Sequence, residues 1–189
     1  ANKIYNACRF RRMAGSDSKA DFKPSACETL RPYHLDILAK CDQLAKNQES
    51  AYADYRFNEI GQQLYDFLWS EFCDKFLEAV KGDLRDDASE FQRETTLGVF
   101  DSVMVRYLQL LHPYMPHLTE ELSLRMGYIE EGQFVMEKEI PVSGLLDGVD
   151  VKMISEGCEQ AAAVYKTAAQ LRNLKAEYRL AARKDVRFI

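Results

Sequence analysis

Paired cysteines, clustered histidines, glycine-rich loops and long apolar runs are all missing from this chain, and each absence removes a class of function. The five cysteines, at 8, 27, 41, 73 and 158, are odd in number and form no C-x-x-C pair. That argues against a disulfide framework or a cysteine-rich zinc site and favours a reducing, cytoplasmic setting. The three histidines, His34, His112 and His117, supply no metal-ligand cluster, so no metal is expected. No stretch approaches the roughly 18 apolar residues of a membrane span, and no signal peptide opens the sequence. The nine glycines never fall into G-x-G-x-x-G or G-x-x-x-x-G-K-[ST], and there is no G-x-S-x-G elbow. Catalytic residues are therefore not expected. Glu71, Asp74 and Glu78 share a helix face at i, i+3 and i+7, but no Glu-x-x-His pair accompanies them, and they read as a solvated face.

What is present is an ordinary globular composition: 189 residues, 47% hydrophobic and 29% charged. A chain of this length can bury enough surface to fold without staples. It opens on Ala1, directly into helix-like sequence, which suggests a piece of a longer polypeptide. The net charge of −5 is unevenly spread. Residues 1–31 hold seven Lys/Arg against three acids, and residues 164–189 hold seven against two, so the middle is strongly acidic. A polyanion would be drawn to the ends and repelled elsewhere.

Apolar spacing predicts helices almost throughout. Ile4, Ala7, Cys8 and Met13 can share one buried stripe before Gly15-Ser16-Asp17-Ser18 ends the first helix. Pro32 suits a helical first turn, with Leu35, Leu38, Cys41 or Asp42, and Ala45 on one side and an end near Tyr52. The next helix is expected from an Asn58 N-cap to Gly82, with Ile60, Leu64, Phe67, Leu68, Phe72, Phe76 and Val80 at three- and four-residue steps. A fourth helix runs from about Ser89 to Leu111, and a short fifth from Pro116 to Met126. Residues 127–150, with four glycines and Pro141, read as a connector with a short extended piece at 134–140. From Val151 a 3-4 alternation through position 178 marks a long helix packed lengthwise on others. The expected fold is all-α: an antiparallel helical bundle over 1–126, a connector over 127–150, and an additional long C-terminal helix over 151–189.

Lys3, Asn6, Arg9 and Phe10 recur along one strip of the first helix. A cation, an amide, a guanidinium and a ring are the set that holds unpaired RNA bases, by stacking and by hydrogen bonds to base edges and phosphates. The competing reading makes Phe10 core and the polar residues ordinary surface, and spacing alone favours it.

Three blocks carry a resemblance: Asn2-Lys3-Ile4-Tyr5-Asn6-Ala7-Cys8-Arg9-Phe10; Leu64 to Glu78, containing Trp69-Ser70-Glu71-Phe72-Cys73-Asp74; and Leu110 to Leu122, containing His112-Pro113-Tyr114-Met115-Pro116-His117. In that order they resemble the anticodon-binding domain of the valyl-tRNA synthetases, class I enzymes. The third block is common to synthetases for branched aliphatic amino acids; the second discriminates. The Gln170 to Glu177 segment is similar to the link toward that family's C-terminal arm. The resemblance implies that the bundle grips the anticodon loop of tRNA(Val), with Lys3 and Asn6 as base or phosphate contacts, Phe10 as the stacking ring and Leu77 as an apolar wall. Arg9 joins this RNA-binding set on charge and spacing. The resemblance implies a cytoplasmic ATP-dependent ligase overall, with no cofactor in this piece, ATP bound elsewhere, neither DNA nor a membrane as partner, and a monomer. A helical protein-interaction module without RNA affinity, or the corresponding domain of a leucyl or isoleucyl enzyme, are the alternatives. The chain departs from the family at Tyr5 and Ser123, where tryptophan is usual, at Tyr33-His34-Leu35, and after Glu177, where no proline follows. Packing around the second and fifth helices is expected to differ accordingly.

Overall fold

The structure is a computed structural model, and it describes residues 1–178 apart from 16, 19, 25–28, 86 and 140–143. Among the described residues it is all-helical. Helix α1 spans Asn2–Met13, α2 Pro32–Ala53, α4 Glu90–Leu111, α5 Pro116–Arg125 and α6 Val151–Glu177. Helix α3 is continuous but changes pitch: α-helical over Phe57–Asp66, π-helical over Phe67–Phe76, and α-helical again for one turn at Leu77–Ala79. The last π turn closes with the Leu77 N–H donating to the Phe72 carbonyl, five residues back.

Helix α4 is the centre of the molecule. Leu97, Phe100, Met104, Tyr107, Leu108 and Leu111 are all buried, and so are polar residues on its other sides, as for a helix enclosed all round. Its start is set by Ser89, whose hydroxyl accepts from the Gln92 N–H at 3.3 Å. Helix α2 packs against α3, α4 and α6, and α1 lies on the π-helical stretch of α3. Two glycines make close approaches possible. A Cβ on Gly98 would run into the Phe22 ring, and one on Gly157 would meet Leu35 at 2.6 Å, so these positions let the 20–24 loop sit on α4 and let α6 sit on α2.

Three expectations need correcting. Met13 is 76% exposed, and Arg11 takes its place on the buried stripe of α1. A guanidinium can be buried there because its donors are satisfied: Nε and Nη2 meet Asp101 at 2.9 and 2.6 Å, while Nη1 and Nη2 donate to the carbonyls of Gly15 and Asp17. Tyr128 completes the cluster by donating to Asp101 Oδ1 at 2.6 Å, tying residues after α5 to α4. Asn58 does not cap α3, which starts at Phe57 with Arg56 at the cap, two residues earlier, and no side-chain cap bond. The piece near 134–140 is a single 3-10 turn at Val135–Glu137 rather than extended; Ile140 lies outside the described residues.

Helix α6 packs on α2 as its 3-4 alternation predicts. Along the predicted stripe Ala161 is buried, Ile154, Cys158, Tyr165, Ala168 and Leu171 are half-buried, and only the ends, Val151, Leu174 and Tyr178, stay exposed. Its N-terminus is held by Asp150, which accepts from the Lys152 N–H at 2.9 Å. The helix ends at Glu177, and the expected continuation over 179–189 lies outside the described residues. No described helix is long and apolar enough to cross a membrane.

Candidate nucleic-acid interface

The first helix carries no acidic residue over Asn2–Met13, so all its charge is positive. With 3.6 residues per turn, Ile4, Ala7, Cys8 and Arg11 fill the inward face, and the remaining residues divide between two flanks. One flank turns toward α3 and the other toward α5.

On the α3 flank, Lys3 is half-buried. Its ammonium donates to Asp74 at 3.0 Å and lies 4.1 Å from the centroid of the Trp69 ring. Trp69 in turn stacks nearly parallel on Tyr65, with centroids 5.5 Å apart and 13° between planes. Tyr65 and Trp69 are 55% and 41% exposed, so the pair presents aromatic surface to solvent instead of filling the core. Asn6 is exposed, and Phe10 is half-buried, its ring packed partly on the core. Leu77, at the exit of the π stretch, is likewise half-buried and packed against that core. Lys3 therefore faces α3, and Phe10 is neither sealed inside nor fully open.

Arg9 lies elsewhere. It lines a cavity of about 290 Å³ between α1 and α5, together with Tyr5, Arg12, Leu122, Arg125 and Met126. The helix thus separates Arg9 from Lys3. Tyr65 and Trp69 were missed in the sequence as candidate contacts, although both fall in the second block. The signal available was that Tyr65 and Trp69 stand four apart, on a helix whose core positions were already filled by Leu64, Phe67 and Phe72.

The carboxylates that could have suggested acid-base chemistry are each held by lysine. Glu71 accepts from Lys40 at 2.6 Å and Lys75 at 2.7 Å, and Glu78 accepts from Lys81 at 2.5 Å. Burial would raise the Glu71 carboxyl, but the two lysines outweigh it and hold the group below its ordinary value. Burial also pushes the Cys8 and Cys41 thiols up to about 12 and Cys73 to about 11, so none is a thiolate near neutrality. Among the described residues no group of three or more His, Cys, Asp or Glu could hold a metal ion.

Exposed cations on α1 and an exposed aromatic pair on α3 are parts that an RNA-binding surface uses. Residues 34–189 match the family model described as the anticodon-binding domain of tRNA ligase. The chain belongs to this family. It is similar to the valine–tRNA ligase of Symbiobacterium thermophilum, 31% identical over 95% of this chain and 21% of the relative. It is similar also to that of Geobacter sulfurreducens, 32% identical over 98% and 20%, and to that of Methanocaldococcus jannaschii, 29% identical over 99% and 20%. The chain thus spans about a fifth of the length of these relatives. The match to the anticodon-binding family model begins at His34, so of the candidate residues only Leu77 falls within it.

Proposed function

We propose that this chain reads the anticodon loop of tRNA(Val) for a valine–tRNA ligase, using the flank of α1 that faces α3. The observation that carries the reading is the outward cluster of Lys3, Trp69 and Tyr65 beside exposed Asn6 and half-exposed Phe10. An ammonium and an amide supply donors and an acceptor for a base edge, and the rings supply stacking faces. Leu77 forms the apolar wall of the same site. Selectivity follows because a base with the wrong edge leaves desolvated polar groups unpaired.

Joining valine to tRNA with ATP belongs to the parts of the ligase outside this chain. ATP is assigned to those other parts because the sequence here holds neither G-x-G-x-x-G nor G-x-x-x-x-G-K-[ST]. The isolated piece is accordingly inactive as a ligase, works as a cytoplasmic monomer, and contributes tRNA choice.

The test is binding to tRNA(Val) transcripts that differ only in the middle anticodon base. A preference for the natural base is expected, and equal affinity for both would sink the reading. Phe10→Ala should weaken binding by about 1–3 kcal/mol through lost stacking. A panel of valine, leucine and isoleucine tRNAs separates this reading from the related enzymes.

A further inference from the structure

The second flank of α1 is built differently. Arg9 and Arg12 stand three apart on one helix, both exposed, and neither meets a carboxylate among the described residues. Arg125, from α5, enters the same 290 Å³ cavity across from them; its Nε donates to Glu121 at 2.5 Å, the one acidic partner the trio has among the described residues. Like charges at this spacing repel, and the fold gains only a modest helix-dipole term from Arg12 near the C-terminus of α1. The cavity floor is apolar, made by Leu122 and Met126, and Tyr5 stands at its side 48% exposed. A chain of net charge −5 has gathered three guanidiniums and an aromatic ring around one opening about the size of a small ligand pocket.

We infer that this α1–α5 cavity binds the phosphate backbone of single-stranded RNA: Arg9, Arg12 and Arg125 grip phosphates while Tyr5 packs on an adjoining base or ribose. Planar guanidiniums match phosphate geometry with paired donors, and release of counterions from the RNA drives the contact. The inference rests on the anticodon-loop reading for its partner and adds a division of labour. Bases are read on the α3 side of α1, and the backbone is held on the α5 side. A protein segment docked in the same cavity would need acidic residues to match, and it is the competing outcome.

The experiment uses the full 189-residue chain and measures the salt dependence of binding to two RNAs, the tRNA(Val) transcript and an unstructured uridine heptamer. Arg9→Gln with Arg12→Gln, and Arg125→Gln separately, are compared with the corresponding Arg→Lys variants, with far-UV circular dichroism confirming the helices. Removing one arginine–phosphate pairing should flatten the slope of log affinity against log salt by about 0.7. The paired Gln variant is expected to flatten it by about 1.4 on both RNAs, to weaken binding about tenfold at low salt, and to leave the preference for the natural anticodon base unchanged. The Lys variants should restore most of the slope.

An unchanged slope in both Gln variants, with binding retained, overturns the inference while the anticodon reading stands. A flattened slope on the heptamer with no discrimination between anticodons supports the cavity and removes the anticodon reading. No binding of either RNA by the unaltered chain at low salt removes both. With a hexaglutamate peptide titrated alongside the RNAs, unaltered RNA slopes and loss of peptide binding in the Gln variants would overturn the inference and assign the cavity to protein docking.

Discussion

Arg11 and Lys3 sit on the same helix and each meets an aspartate from a distant part of the chain, yet they do opposite things. Arg11 and Asp101 are sealed, 2% and 0% exposed, and each of the three guanidinium nitrogens donates a hydrogen bond. Lys3 and Asp74 are 31% and 56% exposed, with one hydrogen bond and one ring contact between them and their neighbours. A buried pair holds α1, the following loop, α4 and Tyr128 in one arrangement. An exposed pair is screened by water and salt, and its lysine can trade Asp74 for another acceptor at little cost. The contrast shows how one short basic helix can be both anchor and recognition surface.

The contrast is broken most severely by removing one partner of the buried pair. Arg11→Ala leaves the Asp101 carboxylate buried without its cation, Tyr128 still donating to it, and urea unfolding should report a loss of about 3–5 kcal/mol. A loss below about 1 kcal/mol would mean that the pair is no anchor. A second buried polar cluster sharpens the point through pH. Burial, the largest influence, pulls His34 down to about 4; Asp83 acts the other way and Arg31 adds to the depression. Its Nδ1 accepts from the Arg31 N–H at 3.2 Å, which leaves the proton on Nε2, 3.0 Å from Thr96 Oγ1. Thr96 then donates to Asp83 at 2.9 Å. Between pH 6.5 and 4 the unfolded chain takes up this proton and the folded one does not. Stability should therefore fall by about 3 kcal/mol as pH drops through that window, and His34→Gln should flatten the dependence.

Gly98→Ala tests the docking of the 20–24 loop onto α4. The added methyl meets the Phe22 ring, so a loss of about 1–3 kcal/mol in unfolding free energy is expected, with the helix itself unharmed. The smallest stability effect belongs to the exposed pair: Lys3→Ala should lower the unfolding free energy by less than about 1 kcal/mol while weakening tRNA binding. If stability fell as far as it does for Arg11, the two cations would not be divided as described. The tRNA measurement has its own optical signal, because Trp69 is the single tryptophan and lies beside Lys3.

Much of the bundle was legible beforehand because helix boundaries are written locally. Pro32 and Pro116 in first turns and Ser89 at a cap act within a few residues of themselves. Arg56 shows where local reading stops. It holds the position expected of Asn58, and its guanidinium meets Asp54 and Glu59, so the turn is organised by charge pairing instead of a side-chain cap. The π stretch was hidden for a related reason. Phe67, Phe72 and Phe76 suit either pitch closely enough that the apolar pattern cannot separate them. The candidate residues were unevenly legible: Lys3 and Phe10 followed from period and resemblance, and spacing set Tyr65 and Trp69 off the core face, but only the packing of α1 on α3 put Trp69 beside Lys3.

Periodicity and punctuation alone determined that this chain is a set of amphipathic helices, because burial of an apolar stripe repeats every three to four residues whatever the helix packs against. They could not determine which cations of α1 point inward. Arg11 lies seven residues after Ile4 and so shares its face, but a charge is buried there only because Asp101, ninety positions away, is brought within hydrogen-bond reach. Only the tertiary fold supplies that partner, and by doing so it leaves Lys3 on one flank and Arg9 and Arg12 on the other, turned toward solvent.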